Sequence, residues 1–287
     1  MVLHGDIMSS PVIKRYIPDE EAFEAIKSDF GFLVKRIKIS GFEYDLQIRD
    51  GYFNLYYKGN SIGKILYKKP IEQYEVSIHS TFVHDRIKKR FNPVSLNNYL
   101  IFKIPRKQLH PLFSSQNLNS MASKVKKNNF QEEIIYEQML MTDNVNRDDL
   151  IIIDRQVMDK VSKTKMDLLT LKRKENSNYQ FCVVEVKLGN NPELEGEVIK
   201  QLKGYVKMIE DNFNDYRECY EKNFKQKRKL GTLAGPDSIN IVPDVSGVVV
   251  VMGYSELANK SIDKLGKKDE SIKVIQFKNW LNIKELD

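Results

Sequence analysis

Phe181–Tyr205 reads FCVVEVKLGNNPELEGEVIKQLKGY. A run of strand-forming apolar residues gives way to a polar turn, and apolar residues then return at helical spacing. The stretch predicts a buried strand, a turn and an amphipathic helix. Two charges, Glu185 and Lys187, interrupt the strand. Ionised groups in an otherwise apolar strand break its local pattern, and such breaks mark working sites. The helix carries Gln201 and Tyr205, four residues apart and therefore on one face.

The flanking sequence supplies partners for these charges. Upstream, KMDLLTL at 165–171 reads as a strand with Asp167 near its start. The polar turn KRKENSN joins it to the strand bearing Glu185, so Asp167 and Glu185 are expected as neighbours in a hairpin. Further upstream, FQEEIIYEQMLM at 130–141 has helical periodicity, with Glu133, Glu137 and Leu140 on one face. Downstream, 194–220 reads as helix and VSGVVVVM at 245–252 as a buried strand. A further helix at about 256–265 and a last strand, IKVIQF, complete the pattern. Helices alternating with strands over 130–287 predict an α/β layered domain around a mixed sheet.

Residues two apart on a strand share a face, so Glu185 and Lys187 point together. Two carboxylates held side by side repel, and a hard divalent cation such as Mg²⁺ or Mn²⁺ relieves that repulsion. A coordinated water is thereby made more acidic, and a phosphoryl oxygen can be clamped. Lys187 stands where it can orient that water and meet charge on a phosphate. Gln201 and Tyr205 can stand behind the strand and hold Lys187 or the phosphate.

The set Asp167, Glu185-Val186-Lys187 and Gln201-x-x-x-Tyr205, with an acid on the preceding helix, resembles the PD-(D/E)xK nuclease superfamily. Glu-x-Lys and Gln-x-x-x-Tyr each occur once in the chain, and in the expected order. The likeness covers roughly residues 130–255; Met166 stands where that superfamily often has proline. It implies a restriction-endonuclease-like α/β/α core and Mg²⁺- or Mn²⁺-dependent hydrolysis of DNA phosphodiesters. Metal ligation would fall to Asp167, Glu185, the backbone at Val186, and Glu133 or Glu137, of which Glu133 is preferred. Within the superfamily, the chain looks most like endonucleases that cut near mismatches or branches, which also place a β-rich DNA-binding and dimerising domain first. A nucleic-acid-binding protein that keeps the fold without cleavage is the competing expectation, as is an RNA-directed or ligand-gated nuclease.

Residues 1–112 have a different texture. After a short acidic helix at 18–32, runs such as LVKRIKI, EYDLQIR, YFNLYY and YEVSIHSTFV alternate at period two between Asp-Gly and Gly-Asn turns, which predicts an antiparallel β-rich domain. Residues 113–129, poor in periodicity and rich in Ser and Asn, read as a linker. The net charge of +7 is concentrated early: residues 1–118 hold 18 Lys+Arg against 12 Asp+Glu, the remainder 28 against 27. A basic module beside a near-neutral one suits nucleic acid. Arg36, Lys38 and the cluster Lys88, Lys89 and Arg90 are the candidate phosphate contacts, and DNA is the expected partner, with RNA equally compatible. Six aromatics between Phe42 and Tyr57 fit either a base-stacking surface or the core side of a sheet; a dimerisation sheet, and with it a homodimer, is a third reading. Two cysteines and four scattered histidines provide neither a disulfide framework nor metal spacing. With no apolar run of about 20 residues and no leader-like N-terminus, the expected setting is cytoplasmic, away from membranes.

Overall fold

The computed structural model describes residues 11–128, 132–158, 165–175, 177–252, 256–268 and 272–277. The first part opens with α1 (Glu20–Asp29) and α2 (Gly31–Ile39). Then come β1 (Tyr44–Ile48), β2 (Phe53–Tyr57), β3 (Asn60–Lys68), β4 (Gln73–His79), α3 (Asp85–Phe91), β5 (Val94–Leu96) and β6 (Tyr99–Pro105). It closes with α4 (Leu109–Leu112) and α5 (Ser115–Asn128). The strands form one antiparallel sheet in the order β1-β2-β3-β4-β6-β5. Alternation is clean. Tyr44, Leu46 and Ile48, then Phe53, Leu55 and Tyr57, then Tyr74, Val76 and Ile78 all point into a core shared with Phe23, Phe30, Leu33 and Ile37. Most of the Phe42–Tyr57 aromatics are therefore core, and of the six only Phe42 and Tyr52 remain partly exposed.

Two segments differ from expectation. LVKRIKI is helix α2, not a strand: Leu33 and Ile37, four apart, are its buried residues. A seven-residue run of alternating apolar and basic residues satisfies both periods, and packing against the sheet decides between them. The expected linker at 113–129 is mostly helix α5, which seals the same core with Leu118, Met121, Ala122 and Val125. Its apolar residues recur at three- and four-residue spacing, diluted by Ser, Asn and Lys on the wet face.

The second part runs α6 (Glu132–Asp143), β7 (Leu150–Met158), β8 (Lys165–Arg173), β9 (Asn178–Leu188), α7 (Glu197–Asp211), α8 (Phe213–Leu230), β10 (Asn240–Met252), α9 (Glu256–Lys268) and β11 (Lys273–Gln276). These strands make a mixed sheet in the order β11-β10-β9-β8-β7, antiparallel across β7-β8-β9 and parallel across β9-β10-β11. Residues of α6 pack on one face with Leu168, Val186, Val250 and Met252. Residues of α7, α8 and α9 cover the other, around Phe181, Val183, Leu202 and Tyr220. The result is an α/β/α layered core behind a β-rich domain. The basic stretch at 222–229 is the C-terminal half of α8, and the expected single helix at 194–220 breaks at Asn212 into α7 and α8.

The two parts are joined by a buried ionic cluster. Asp154 of β7 is fully enclosed and pairs with Arg49. It also meets Arg15 at 3.3 Å and accepts a hydrogen bond from Tyr220 at 3.0 Å. Lys227 of α8 donates to Gln47 of β1 at 2.5 Å and to the Ile153 carbonyl. Gly59, at φ 80°, brings the β2–β3 turn so near α6 that a Cβ would collide with Ile134 and the Arg155 guanidinium. Removing one member of a buried charge set leaves its partners uncompensated. Asp154→Ala is therefore expected to lower unfolding free energy by about 3–5 kcal/mol, read from the shift in urea midpoint. Burial pushes the Lys227 ammonium down to about 8, against the pull of Asp154 and Asp45. Between that value and the ordinary 10.5 the unfolded chain holds more protons, so stability rises with pH across this window. Lys227→Met is expected to abolish that rise in a pH series of thermal melts.

Candidate active site

The register of β8 against β9 pairs Leu168 with Val184 and Leu169 with Val183. One more step along the same register sets Asp167 opposite Glu185. Glu185 projects on the face of Val183, the face covered by α7. An Asp167 carboxylate oxygen accepts a hydrogen bond from the Val186 amide at 2.9 Å. Glu185 is 2% exposed and Lys187 7%. The Lys187 ammonium lies 3.0 Å from Glu185 Oε1 and 2.7 Å from Glu193 Oε2. The other Glu185 oxygen is buried without a hydrogen-bond partner.

The electrostatics follow from burial and proximity. Burial, then the Glu185 charge, then that of Glu137 push the Asp167 carboxyl well above the usual carboxylate range, against the Val186 amide and Lys187. Burial likewise raises Glu185, and Lys187 opposes it. Burial alone would lower Lys187; Glu185 and Glu193 outweigh it and hold the ammonium above its ordinary value. Lys187 is thus a fixed positive charge here rather than a proton acceptor.

The two acids of α6 have different surroundings. Glu137 is 2% exposed and its carboxylate takes Arg155 at 2.8 Å and the Gln156 amide at 2.8 and 2.9 Å. Glu133 accepts from Asn191 at 2.9 Å. The Glu137 charge is among the main influences that raise Asp167. Lys187, and to a smaller degree nearby Gln201, holds the Glu193 carboxyl below the usual carboxylate range. Tyr205 donates to the Lys165 carbonyl at 3.1 Å, tying α7 to the first residue of β8. Asn191, Glu193, Arg155 and Gln156 were not legible as site residues in the sequence. The one available signal is Asn191-Pro192-Glu193, a turn in which the Asn191 side chain caps the Glu193 amide at 2.9 Å.

Among the described residues no three His, Cys, Asp or Glu side chains form a ready cluster for a metal ion. The donor set nevertheless suits Mg²⁺ or Mn²⁺, which needs only one or two carboxylates and fills its shell with water and phosphate. An unpartnered buried carboxylate oxygen on Glu185, beside a second carboxylate, is the feature such an ion would satisfy.

A cleft of about 410 Å³ lies between the first sheet and the second part, lined by Arg15, Arg49, Tyr52, Gln156 and Lys165 among others. A depression of about 260 Å³ continues it over the outer face of the first sheet past Lys64, His79 and Tyr99; the two share Tyr52, Asn54 and Ser61. Among the described residues, no Asp or Glu lines either one. Arg36 and Lys38 lie on α2, and Lys88, Lys89 and Arg90 on α3, and none of the five lines this groove. Arg36 is instead hydrogen-bonded to Asn119 at 2.5 Å, and Lys88 pairs with Asp85 at 3.0 Å. The VSKTK segment at 161–165 falls, except for Lys165, outside the described residues.

No family model and no curated protein matches the chain. Among solved structures, it is similar to one described as an EndoMS–dsDNA2 complex, at 11% identity over 83% of this chain and 78% of that one, with a TM-score of 0.22. A likeness that loose carries no argument. Among the described residues, no helix is long and apolar enough to cross a membrane.

Two carboxylates that repel each other, Glu185 buried and Asp167 half-buried, cost stability when no cation is bound. A carboxyl raised in the folded state contributes nothing below its unfolded value and an increasing penalty as pH rises towards its folded value. Asp167→Asn, which keeps an oxygen for the Val186 amide, is therefore expected to raise the thermal midpoint of metal-free protein at neutral pH. The gain should vanish near pH 4, where the unfolded carboxylate is itself about half protonated.

Proposed function

We propose that this protein is a metal-dependent phosphodiesterase acting on nucleic acid, with DNA the leading substrate. The observation that carries this reading is Asp167 beside Glu185 on adjacent strands, with Lys187 at 3.0 Å from Glu185. Asp167, Glu185 and the Val186 carbonyl are the groups that would hold Mg²⁺ or Mn²⁺; when bound, such an ion makes a coordinated water more acidic and polarises a phosphoryl oxygen.

The chain's own residues have separable tasks. Lys187, held as a cation, orients the attacking water and offsets charge on the phosphate. Tyr205 fixes α7 against β8, so that the Gln201 side of the helix faces the site. The groove, lined by Arg15, Arg49, Lys64 and Lys165 and by no acid among the described residues, supplies the approach. Arg15 and Arg49, which line the cleft, both gather around Asp154, one buried carboxylate. Positive charge is left over beside a cleft whose inner wall, Gln156, touches Glu137. Excess cationic charge in a cleft draws in a polyanion and makes its binding depend on salt.

A cleavage panel tests the reading: single-stranded, duplex, flapped and mismatched DNA, and RNA, with Mg²⁺ or Mn²⁺. Wild type is expected to cut at least one DNA, and Asp167→Ala and Lys187→Ala to lose at least roughly 100-fold in rate, the scale of removing one preorganised charge. Cleavage that survives both substitutions would falsify the assignment. Lys165→Ala and Lys64→Ala are each expected to reduce the slope of log affinity against log salt by about 0.7–0.9. Slopes equal to wild type would remove the groove from the nucleic-acid path.

A further inference from the structure

Glu193 lies outside the motif, in the turn between β9 and α7. Its carboxylate is the nearer of the two that hold Lys187, at 2.7 Å against 3.0 Å for Glu185. The turn that presents it is firmly built. Leu194 is fully buried, the Asn191 side chain caps the Glu193 amide, and the Gly189 amide bonds the Met252 carbonyl at 2.7 Å. Gln201, one of the two residues of the Gln-x-x-x-Tyr motif, stands close enough on α7 to help lower the Glu193 carboxyl. A row of side chains therefore runs from Gln201 past Glu193 to the ion pairs Glu193–Lys187 and Lys187–Glu185.

The two anions around Lys187 are not equivalent. Glu185 sits beside Asp167, and a divalent cation there would take its charge and repel the ammonium. Glu193 stands on the far side of Lys187, and its side chain is 38% exposed. We propose that Glu193 is the positioning residue for Lys187: it keeps the ammonium in the site when a divalent cation claims Glu185, and Gln201 keeps Glu193 in place. This rests on the reading of Asp167, Glu185 and Lys187 as a hydrolytic site. It assigns Gln201 to holding Glu193, and only through it to Lys187.

The test uses three readouts on the full chain. The first is the ¹³Cε–¹Hε signal of Lys187 in lysine-labelled protein, assigned with Lys187→Arg, before and after Mg²⁺ alone. In wild type the signal is expected to stay resolved from the solvent-exposed lysines in saturating Mg²⁺. In Glu193→Gln it should merge with them, and Glu193→Asp should restore it in part. The second readout is Mg²⁺ affinity by calorimetry. It is expected to stay near wild type in Glu193→Gln, against the roughly 10–100-fold loss that follows when a ligand or its direct support is removed. The third is single-turnover cleavage of the best substrate from the panel. It should slow on the order of 100-fold, the effect of misplacing a reacting group by about 1 Å, with substrate affinity unchanged. Gln201→Leu should shift all three in the same direction and by less.

An unmoved Lys187 signal in Mg²⁺-loaded Glu193→Gln overturns the proposal. So does a loss of Mg²⁺ affinity matching the loss of rate, since Glu193 would then be a ligand. A wild type that cuts nothing while the Lys187 signal behaves as stated overturns the hydrolytic reading alone and supports the role of Glu193.

Discussion

The burial of Asp154 between the two sheets is the constraint on which most of the architecture depends. A lone carboxylate in that position would be prohibitively desolvated. It persists because Arg49 from the first part, Arg15 from the N-terminal segment and Tyr220 from α8 all converge on it. Those contacts orient the outer face of the first sheet towards β7 and leave the cleft alongside. The carboxylate stays ionised: Arg49, Arg15 and Lys227 together overcome burial and hold it below the ordinary carboxylate range. The same burial drives Lys227 towards neutrality, so the cluster is balanced by adjusting its weakest cation rather than by excluding charge.

The candidate site runs the opposite way. There the carboxylates outnumber the cation, and both Asp167 and Glu185 are raised. Asp154 is a charge that folding has satisfied, whereas Asp167 and Glu185 are charges that folding has left in tension. Tension of this kind is tolerated where a ligand is to relieve it. The distinction separates two acids only 13 residues apart in sequence, Asp154 fully enclosed and Asp167 half-buried.

Much of the second part was legible because its signals are local. Strand and helix periods, a pair of hairpin strands and two four-residue spacings placed Asp167, Glu185, Lys187, Gln201 and Tyr205 on the elements that carry them. What was not legible depends on packing or on distant partners. LVKRIKI fits either period until the sheet selects Leu33 and Ile37 for its core. Helix α5 was hidden by Ser and Asn, whose preference for turns outweighs four well-spaced apolar residues when each is weighed by type alone. Of the Phe42–Tyr57 aromatics, alternation decided most for the core, but Tyr52 gained its place in the groove only through the cleft beside it. Arg49 and Asp154 are 105 residues apart, and no periodicity in either segment announces that they meet.

The interface and the candidate site are mechanically one object, and β7 shows why. A bulge between Ile152 and Asp154 shifts the register against β8. After it, three successive residues divide two tasks: Asp154 engages the first part, and Arg155 and Gln156 both grip Glu137. Successive residues on a regular strand point to opposite faces, so Arg155 and Gln156 could not both reach one carboxylate. Gln156 adopts φ 52°, a left-handed conformation that costs a non-glycine residue about 1 kcal/mol or more, and this breaks the alternation. Gln156 also falls opposite Asp167 in the β7–β8 register, between the pairs Arg155–Leu168 and Val157–Met166. A strained residue thus sits where the cleft wall, the Glu137 clamp and the Asp167 carboxylate meet. Asp154, which holds the first part, is two residues along β7 from Gln156, which lines the cleft and falls opposite Asp167 of β8, so one short segment of strand serves the interface, the cleft and the candidate site.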